Sequence, residues 1–372
     1  MASSAPQYSQ GKKRKMADDD CTSGSATAEH TELVRDEKVW FADGNIIVRA
    51  GPGCTGDGPV YGFRCHSSVL AARSPVFSDM FQLPNTAGEK IEGAACVDLP
   101  DDWEDVRELL RYLYCSIDMQ PLIVPQHVDA LKVIGGPLRL AAKYEMDSVS
   151  RELTPVLERD WPCMYDEWLH VEKGLQLRHS GEIETRQTQC FQDPAAAIRL
   201  AMDLRLRSVL PAAFYDLSHI STRKPLLPRP YDRWADATLL TFEDMDRLMV
   251  GRERTVRYLH DVVYENVHTA TWGLMEHIED ILRPGRQSCL YNLEKWWVKE
   301  HPAAESMYSG SGPIAALQAL EQELQSDDPE DEALAVVCTG CRRELSREVQ
   351  SETRGFWENL PELFDLESLP FE

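Results

Sequence analysis

The fold is decided by the stretch Phe63-Arg64-Cys65-His66-Ser67-Ser68-Val69-Leu70-Ala71-Ala72-Arg73-Ser74-Pro75-Val76-Phe77. Phe63 and Cys65 alternate with Arg64, which is the pattern of a half-buried strand. Ser74 precedes Pro75, so we expect the serine to cap a helix whose first residue is the proline. The stretch therefore predicts a strand followed by two short helices. Four residues supply the apolar anchors of these helices: Val69, Leu70, Val76 and Phe77.

Further segments on both sides of this stretch continue the pattern in a consistent order. Together the segments cover residues 40–150 and resemble the BTB/POZ domain. They are an opening strand with a leading acidic residue at 43–48, the end of the serine helix at 78–81, a third strand at 96–100, a long helix at 103–114 that ends in Tyr112-Leu113-Tyr114, and the last helix pair around 138–144.

The resemblance implies a small sheet covered by helices, and a domain that dimerises or docks helices onto protein partners. It also implies structural rather than catalytic roles for the residues that match the family pattern. These residues are Asp43, Phe63, His66, Leu70, Ser74 and Phe77.

Composition favours an intracellular interaction protein in the nucleus or cytoplasm. The chain has 372 residues, 43% hydrophobic and 27% charged, which are globular values. Ten cysteines without a framework favour reduced thiols. A net charge of −23 argues against direct nucleic-acid binding. The sequence contains no run of eighteen apolar residues, so we predict no membrane helix. The N-terminus lacks the apolar core of a signal peptide.

We divide the chain into a disordered tail at 1–35, a BTB/POZ-like domain at 36–150 and a helical domain at 151–372. The predicted fold is α+β in the BTB/POZ-like domain and all-α in the domain that follows. The tail is poor in residues that could form a core. Its cluster Lys12-Lys13-Arg14-Lys15 has two interpretations, a nuclear localisation signal or a solvated charge run.

The helical domain is predicted from apolar residues at spacings of three and four. Asp193-Pro194 should start a helix whose apolar face continues through Leu206 to Leu210. Breaks are expected at 309–313 and at the acidic stretch 325–332. Two further helices carry the apolar sets Leu290, Leu293, Trp296 and Trp297, and Ile314, Leu317, Leu320 and Leu324.

An acid-rich chain with a low-complexity tail and a long helical C-terminal part resembles BTB proteins of filamentous and mushroom-forming fungi, as does the ending at 356–364.

Two motifs in the first domain resemble catalytic or nucleotide-binding sites. Residues 51–56 spell G-x-G-x-x-G, but a dinucleotide site needs a helix next, and here another strand follows. We therefore expect an enlarged hairpin loop. His66 is a candidate base, although no serine elbow or HExxH motif accompanies it. We expect a structural histidine with Asp43 as one partner.

Cys338-Thr339-Gly340-Cys341 is a single C-x-x-C motif. Zinc requires four tetrahedral ligands, of which this motif supplies two. Cys289 is a candidate third ligand, with a histidine such as His301 as the fourth. Three interpretations remain open: a zinc site, free thiols at the start of the last helix, and a redox pair. The chain otherwise calls for no cofactor.

The sequence thus predicts a non-enzymatic interaction protein, a self-associating scaffold or regulatory factor. The alternative is a substrate adaptor of a cullin-type ubiquitin ligase. Cullin-binding relatives usually carry a hydrophobic-x-Glu motif after the serine helix, but here Ala87 stands two residues before Glu89. We expect the partner-binding residues at the end of the serine helix, with Phe81 towards the core and Met80 towards the partner. They are Ser78, Asp79, Met80 and Phe81.

Overall fold

The computed structural model describes residues 33–83, 90–119, 123–179, 192–224, 226, 233–265, 286–300, 312–327, 329 and 331–371. Several sequence predictions lie outside these residues. They are the tail up to residue 32 with its basic cluster at 12–15, the Ala87-x-Glu89 motif, His301, and the first three residues of the break at 309–313.

A five-stranded mixed sheet lies near the start of the described chain, in the order β1-β3-β2-β5-β4. β2 and β3 are antiparallel, whereas β1 pairs with β3, and β2 with β5, in parallel. The strands are β1 (Leu33–Trp40), β2 (Ile46–Ala50), β3 (Val60–Cys65), β4 (Lys90–Ile91) and β5 (Ala94–Asp98).

The stretch quoted first forms the predicted strand and two helices. β3 is followed by α2 (Ser67–Arg73) and α3 (Pro75–Gln82), and the backbone of Ser74 separates them in an extended conformation. The Ser74 hydroxyl caps α3 by accepting the N–H of Phe77. Leu70 and Phe77 are buried, whereas Val69 is half-buried, so Leu70 is the principal anchor of α2.

Three longer helices complete this part of the molecule: α4 (Trp103–Met119), α5 (Ala130–Lys143) and α6 (Asp147–Asp160). α4 and α5 approach closely at Gly136, where a Cβ atom would lie 2.7 Å from the Cα of Asp105. Arg139 binds the Asp105 carboxylate beside this contact, with an N–O distance of 2.7 Å. Because only glycine leaves this space free, position 136 sets the distance between the two helices.

Two boundaries differ from the sequence prediction. Leu33, Val34 and Arg35 were placed in the tail but lie in β1. The predicted domain end at residue 150 falls inside α6, which continues to Asp160. β1 was missed because its exposed charged residues break the apolar alternation that marks a strand.

The rest of the described chain is helical, as predicted. α10 continues into one π-helical stretch, Leu259–Tyr264. The remaining helices are α7 (Tyr165–His179), α8 (Pro194–Leu204), α9 (Leu210–Ser218), the 3₁₀ turn Ala237–Leu239, α10 (Phe242–Tyr258), α11 (Arg286–Glu300), α12 (Gly312–Gln325), α13 (Glu332–Ala335), α14 (Thr339–Glu358) and α15 (Leu360–Leu363). The four-residue α1 (Pro52–Thr55) lies earlier, between β2 and β3.

The helix that begins after Asp193 is shorter than predicted. Asp193 caps α8 by accepting the N–H of Ala195, but the helix ends at Leu204. Arg205 then adopts a left-handed conformation with φ of 57°, and α9 begins separately at Leu210. The apolar spacing runs through both helices because both face the same core, so periodicity alone did not reveal the break.

One continuous hydrophobic core extends from Val39 in β1 to Leu369 near the C-terminus. α5 packs against α8 and thereby joins the sheet-containing part to the helical part. Leu293, Trp296 and Trp297 of α11 and all four predicted apolar residues of α12 are buried in it. Among the described helices, none combines the length and apolar character that a membrane span requires.

Candidate functional site

His66 lies at the junction of β3 and α2 and is held by two side chains. Its backbone N–H donates to the Tyr114 hydroxyl at 2.9 Å, and its Nδ1 lies 3.3 Å from the same oxygen. Its Nε2 lies 3.3 Å from Oδ2 of Asp43, the partner that we expected. Burial raises the pKa of Tyr114 to about 12, so this hydroxyl stays protonated at neutral pH. Both ring nitrogens of His66 therefore have a structural contact.

Ser74 links α3 to the end of α5. Its hydroxyl accepts the N–H of Phe77 at 3.1 Å and donates to the backbone carbonyl of Tyr144 at 2.5 Å. The Phe77 ring stacks on Tyr144, with the ring centres 4.5 Å apart, and on Phe81 on its other side. Phe63, Leu70 and Phe77 are buried in the same hydrophobic core. Phe63, Leu70, Ser74 and Phe77 are thus buried near this junction, whereas Asp43 is exposed and contacts the His66 ring.

The surface at the end of α3 combines apolar and charged side chains. Phe81 stacks on Phe77, and Phe81 and Met80 are both half-buried against the same core, so burial does not separate a core-facing Phe81 from a partner-facing Met80. Asp79 is exposed, and Leu83 directly after the helix is 70% exposed. An apolar side chain held in water at a helix end is available for contact with another protein. Leu83, Met80 and Asp79 are called the α3 surface below.

Comparison with known families identifies the domain that contains this junction. The family model of the BTB/POZ domain matches residues 60–160, which run from the first residue of β3 to the last residue of α6. The chain carries a BTB/POZ domain. No curated protein matches the chain. BTB/POZ domains are protein-interaction modules, so the chain contains a module for binding protein partners.

β1 and β2 precede the matched region but belong to the same sheet as the BTB/POZ domain. The connection between β2 and β3 contains the G-x-G-x-x-G sequence, and α1 lies within it. A Cβ atom at Gly53 would lie 2.4 Å from the carbonyl oxygen of Gly58. The glycines therefore permit close packing inside a hairpin connection, as we expected, and no helix extends from the motif as a dinucleotide site requires.

A second candidate site lies in the helical part, where three cysteines predicted as metal ligands come together. The Sγ atoms of Cys289, Cys338 and Cys341 lie within 4.8 Å of one another. Cys289 comes from α11, while Cys338 caps α14 and Cys341 lies in its first turn. These three residues are called the thiol cluster below. The proposed fourth ligand, His301, lies outside the described residues.

Backbone groups of the helix terminus donate hydrogen bonds to two sulfurs of the thiol cluster. The N–H of Cys341 donates to Sγ of Cys338 at 3.5 Å, and the N–H of Cys338 donates to Sγ of Cys289 at 3.3 Å. The bond from Cys341 is the main reason that the pKa of the Cys338 thiol is lowered. Cys289 and Cys341 are buried, whereas Cys338 is exposed.

Sequence reasoning missed two features of these regions. Leu83, which is 70% exposed, was not among the predicted contact residues. A buried ion pair between Asp216 and Arg233, with an N–O distance of 2.6 Å, was also missed. Its members come from α9 and an irregular segment, so no periodic pattern connects them.

Proposed function

We propose that this protein is a non-enzymatic scaffold or regulatory factor that self-associates through its BTB/POZ domain. The observation that carries the proposal is the match of residues 60–160 to this family of interaction modules. The contacts of His66 suit a structural histidine at the β3–α2 junction, since Tyr114 and Asp43 each lie 3.3 Å from one of its ring nitrogens.

The α3 surface is the contact that we assign to self-association. Leu83 supplies an exposed apolar centre, and Met80 adds a flexible side chain suited to adaptable interfaces. Because a two-fold interface brings one surface against its own copy, the exposed side chain of Leu83 can pack on the same side chain of a second chain. A second copy of this chain is therefore the occupant that we propose.

The test is sedimentation velocity of the full chain over a wide concentration range, with Leu83→Lys as the principal variant. We expect a concentration-dependent dimer in the wild type and a dimer at least about 10-fold weaker in the variant, since a charge would be buried at the contact. Met80→Lys should also weaken the dimer. Met249→Lys is the matched control, because Met249 is 58% exposed on α10.

Two results would overturn the assignment. A wild type that stays monomeric at every concentration excludes self-association, and an unchanged dimer in Leu83→Lys moves the interface elsewhere. Affinity purification with the same variants examines the adaptor function. Recovery of a cullin scaffold with the wild type, and its loss with Leu83→Lys, would replace the scaffold proposal by that of a ubiquitin-ligase adaptor.

A further inference from the structure

The thiol cluster joins two separate segments of the helical part. Cys289 lies in α11, and α13 leads from a contact with α11 into the cap of α14, where Cys338 and Cys341 lie. The three Sγ atoms lie within 4.8 Å of one another, and all three cysteines are free thiols. A C-x-x-C turn by itself brings two sulfurs together, but the third sulfur arrives from a position 49 residues away from Cys338.

The distances are close to those of a metal site. Thiolate sulfurs about 2.3 Å from a tetrahedral zinc ion lie about 3.8 Å apart. Sulfurs at most 4.8 Å apart therefore need to approach by about 1 Å or less to share one ion. Side-chain rotation achieves such a change without moving a helix.

The surroundings suit negatively charged sulfur. Two backbone N–H groups donate to sulfurs of the cluster, so these sulfurs act as hydrogen-bond acceptors. Cys338 and Cys341 lie at the N-terminus of the 20-residue α14, where the helix dipole favours negative charge. Cys289 and Cys341 are 6% and 7% exposed, whereas Cys338 faces solvent. The cluster thus has a buried side and one side open to an entering ion.

We propose that Cys289, Cys338 and Cys341 bind one Zn²⁺ ion, with the fourth position of the tetrahedron open to water. Binding is acid–base chemistry: each thiol releases its proton to solvent as its Zn–S bond forms, and no electron is transferred. The ion ties α11 to α14. This proposal does not depend on self-association through the BTB/POZ domain.

The test is metal analysis of the full chain purified with a reductant and without chelators. We expect about one zinc per chain, and Co²⁺ added to the metal-free protein should give thiolate-to-cobalt charge-transfer absorption. Cys338→Ser should weaken zinc binding by about 100-fold or more, since even outer-shell substitutions cost about 10–100-fold. Cys338 is exposed, so this variant should keep the circular dichroism spectrum of the wild type.

Cys163→Ser is the matched control, because Cys163 is exposed and outside the cluster. It should retain the zinc content and the cobalt spectrum of the wild type. Absence of zinc and of cobalt charge transfer, with all three thiols reactive, would overturn the proposal in favour of packed free thiols. Loss of two hydrogens in the intact mass under reductant-free purification, without zinc under either condition, would overturn it in favour of a disulfide.

Discussion

Ser74 joins two helices of the BTB/POZ domain through one hydroxyl group. It caps α3 and also donates to the carbonyl of Tyr144 at the end of α5. Ser74→Ala removes the cap and leaves a buried carbonyl without this donor. We expect the free energy of unfolding to fall by about 1–3 kcal/mol, measured by urea denaturation.

Ser78→Ala in the same helix is the control for that substitution. The Ser78 hydroxyl contacts only the exposed Gln82 side chain among the hydrogen bonds described, at 3.3 Å. Its removal should change stability by about 0.5 kcal/mol or less. Equal effects of the two substitutions would show that the bond to Tyr144 contributes little.

His219 is a buried residue whose protonation should make stability depend on pH. Burial lowers its pKa from 6.5 to about 4, although the neighbouring Asp216 carboxylate opposes this shift. The unfolded chain therefore binds a proton between pH 6.5 and 4 that the folded chain does not. Stability due to this residue is fully present above pH 6.5 and is lost as the pH falls towards 4, by on the order of 3 kcal/mol.

Urea denaturation of the wild type and of His219→Gln between pH 7.5 and 4.5 measures this contribution. The variant should lose less stability than the wild type over this range. His260→Gln is the control, because the His260 side chain is 64% exposed. Parallel pH profiles for the wild type and His219→Gln would contradict the assignment to His219.

At the scale of elements, β1 and the end of α6 define the fragment that should fold alone. β1 pairs with β3 from Leu33 onwards, and α6 carries the buried residues Leu153 and Leu157 beyond residue 150. We expect a fragment of residues 33–160 to unfold cooperatively on heating. A fragment of residues 40–150 should melt at lower temperature, because it lacks most of β1 and the last ten residues of α6.

The two fragments can be compared by circular dichroism and differential scanning calorimetry. Aggregation of the longer fragment, or melting without cooperativity, would show that α8 is needed to cover α5. Identical melting of both fragments would show that β1 and the end of α6 add no stability. In the first case the unit that folds alone has to extend beyond residue 160.

Local signals in the sequence explain which elements could be predicted. Ser74-Pro75 and Asp193-Pro194 mark helix starts because a side-chain cap and a proline act within one turn. The end of α8 had no such signal, since Arg205 occupies a left-handed conformation that usually takes glycine or asparagine. The Arg207 guanidinium nearby donates to backbone carbonyls more than 150 residues further along the chain. Because so distant a segment stabilises the break, the residues next to Arg205 in the sequence do not predict it.

In the candidate sites, too, features with a local sequence signal could be predicted and features set by distant contacts could not. The C-x-x-C motif was visible because both cysteines share one helical turn, and the choice of Cys289 as a third ligand agrees with the observed proximity. The exposure of Leu83 could not be predicted, because it depends on which neighbouring elements leave the end of α3 uncovered. Val69 was expected to be buried like Leu70, but the exact rotation of the short α2 leaves it half-buried.

At the scale of the whole molecule, an aromatic cluster joins α7, α9 and α14. Trp357 stacks on Trp168 with ring centres 5.2 Å apart, contacts Tyr215, and donates its indole N–H to the carbonyl of Cys163 at 2.7 Å. Trp357→Ala should reduce the free energy of unfolding by about 3–5 kcal/mol because it leaves a large cavity.

Thermal and urea denaturation of the full chain measure this loss. Tyr291→Ala is the aromatic control, since Tyr291 is 67% exposed on α11. A loss of less than about 1 kcal/mol in Trp357→Ala would mean that α14 contributes little to the stability of the helical part.

The contacts of the C-terminal segment imply that the BTB/POZ domain and the helical part fold at different times during synthesis on the ribosome. Phe364 stacks on Phe214 of α9, and Arg207 binds the carbonyls of Leu366 and Phe371. The BTB/POZ domain has left the exit tunnel long before these residues are translated, and domains generally fold N-terminal first as they emerge. The helical part, in contrast, cannot close its core until residues 364–371 have emerged. Nascent chains stalled shortly before residue 356 should therefore resist protease up to about residue 160 and be cleaved beyond it.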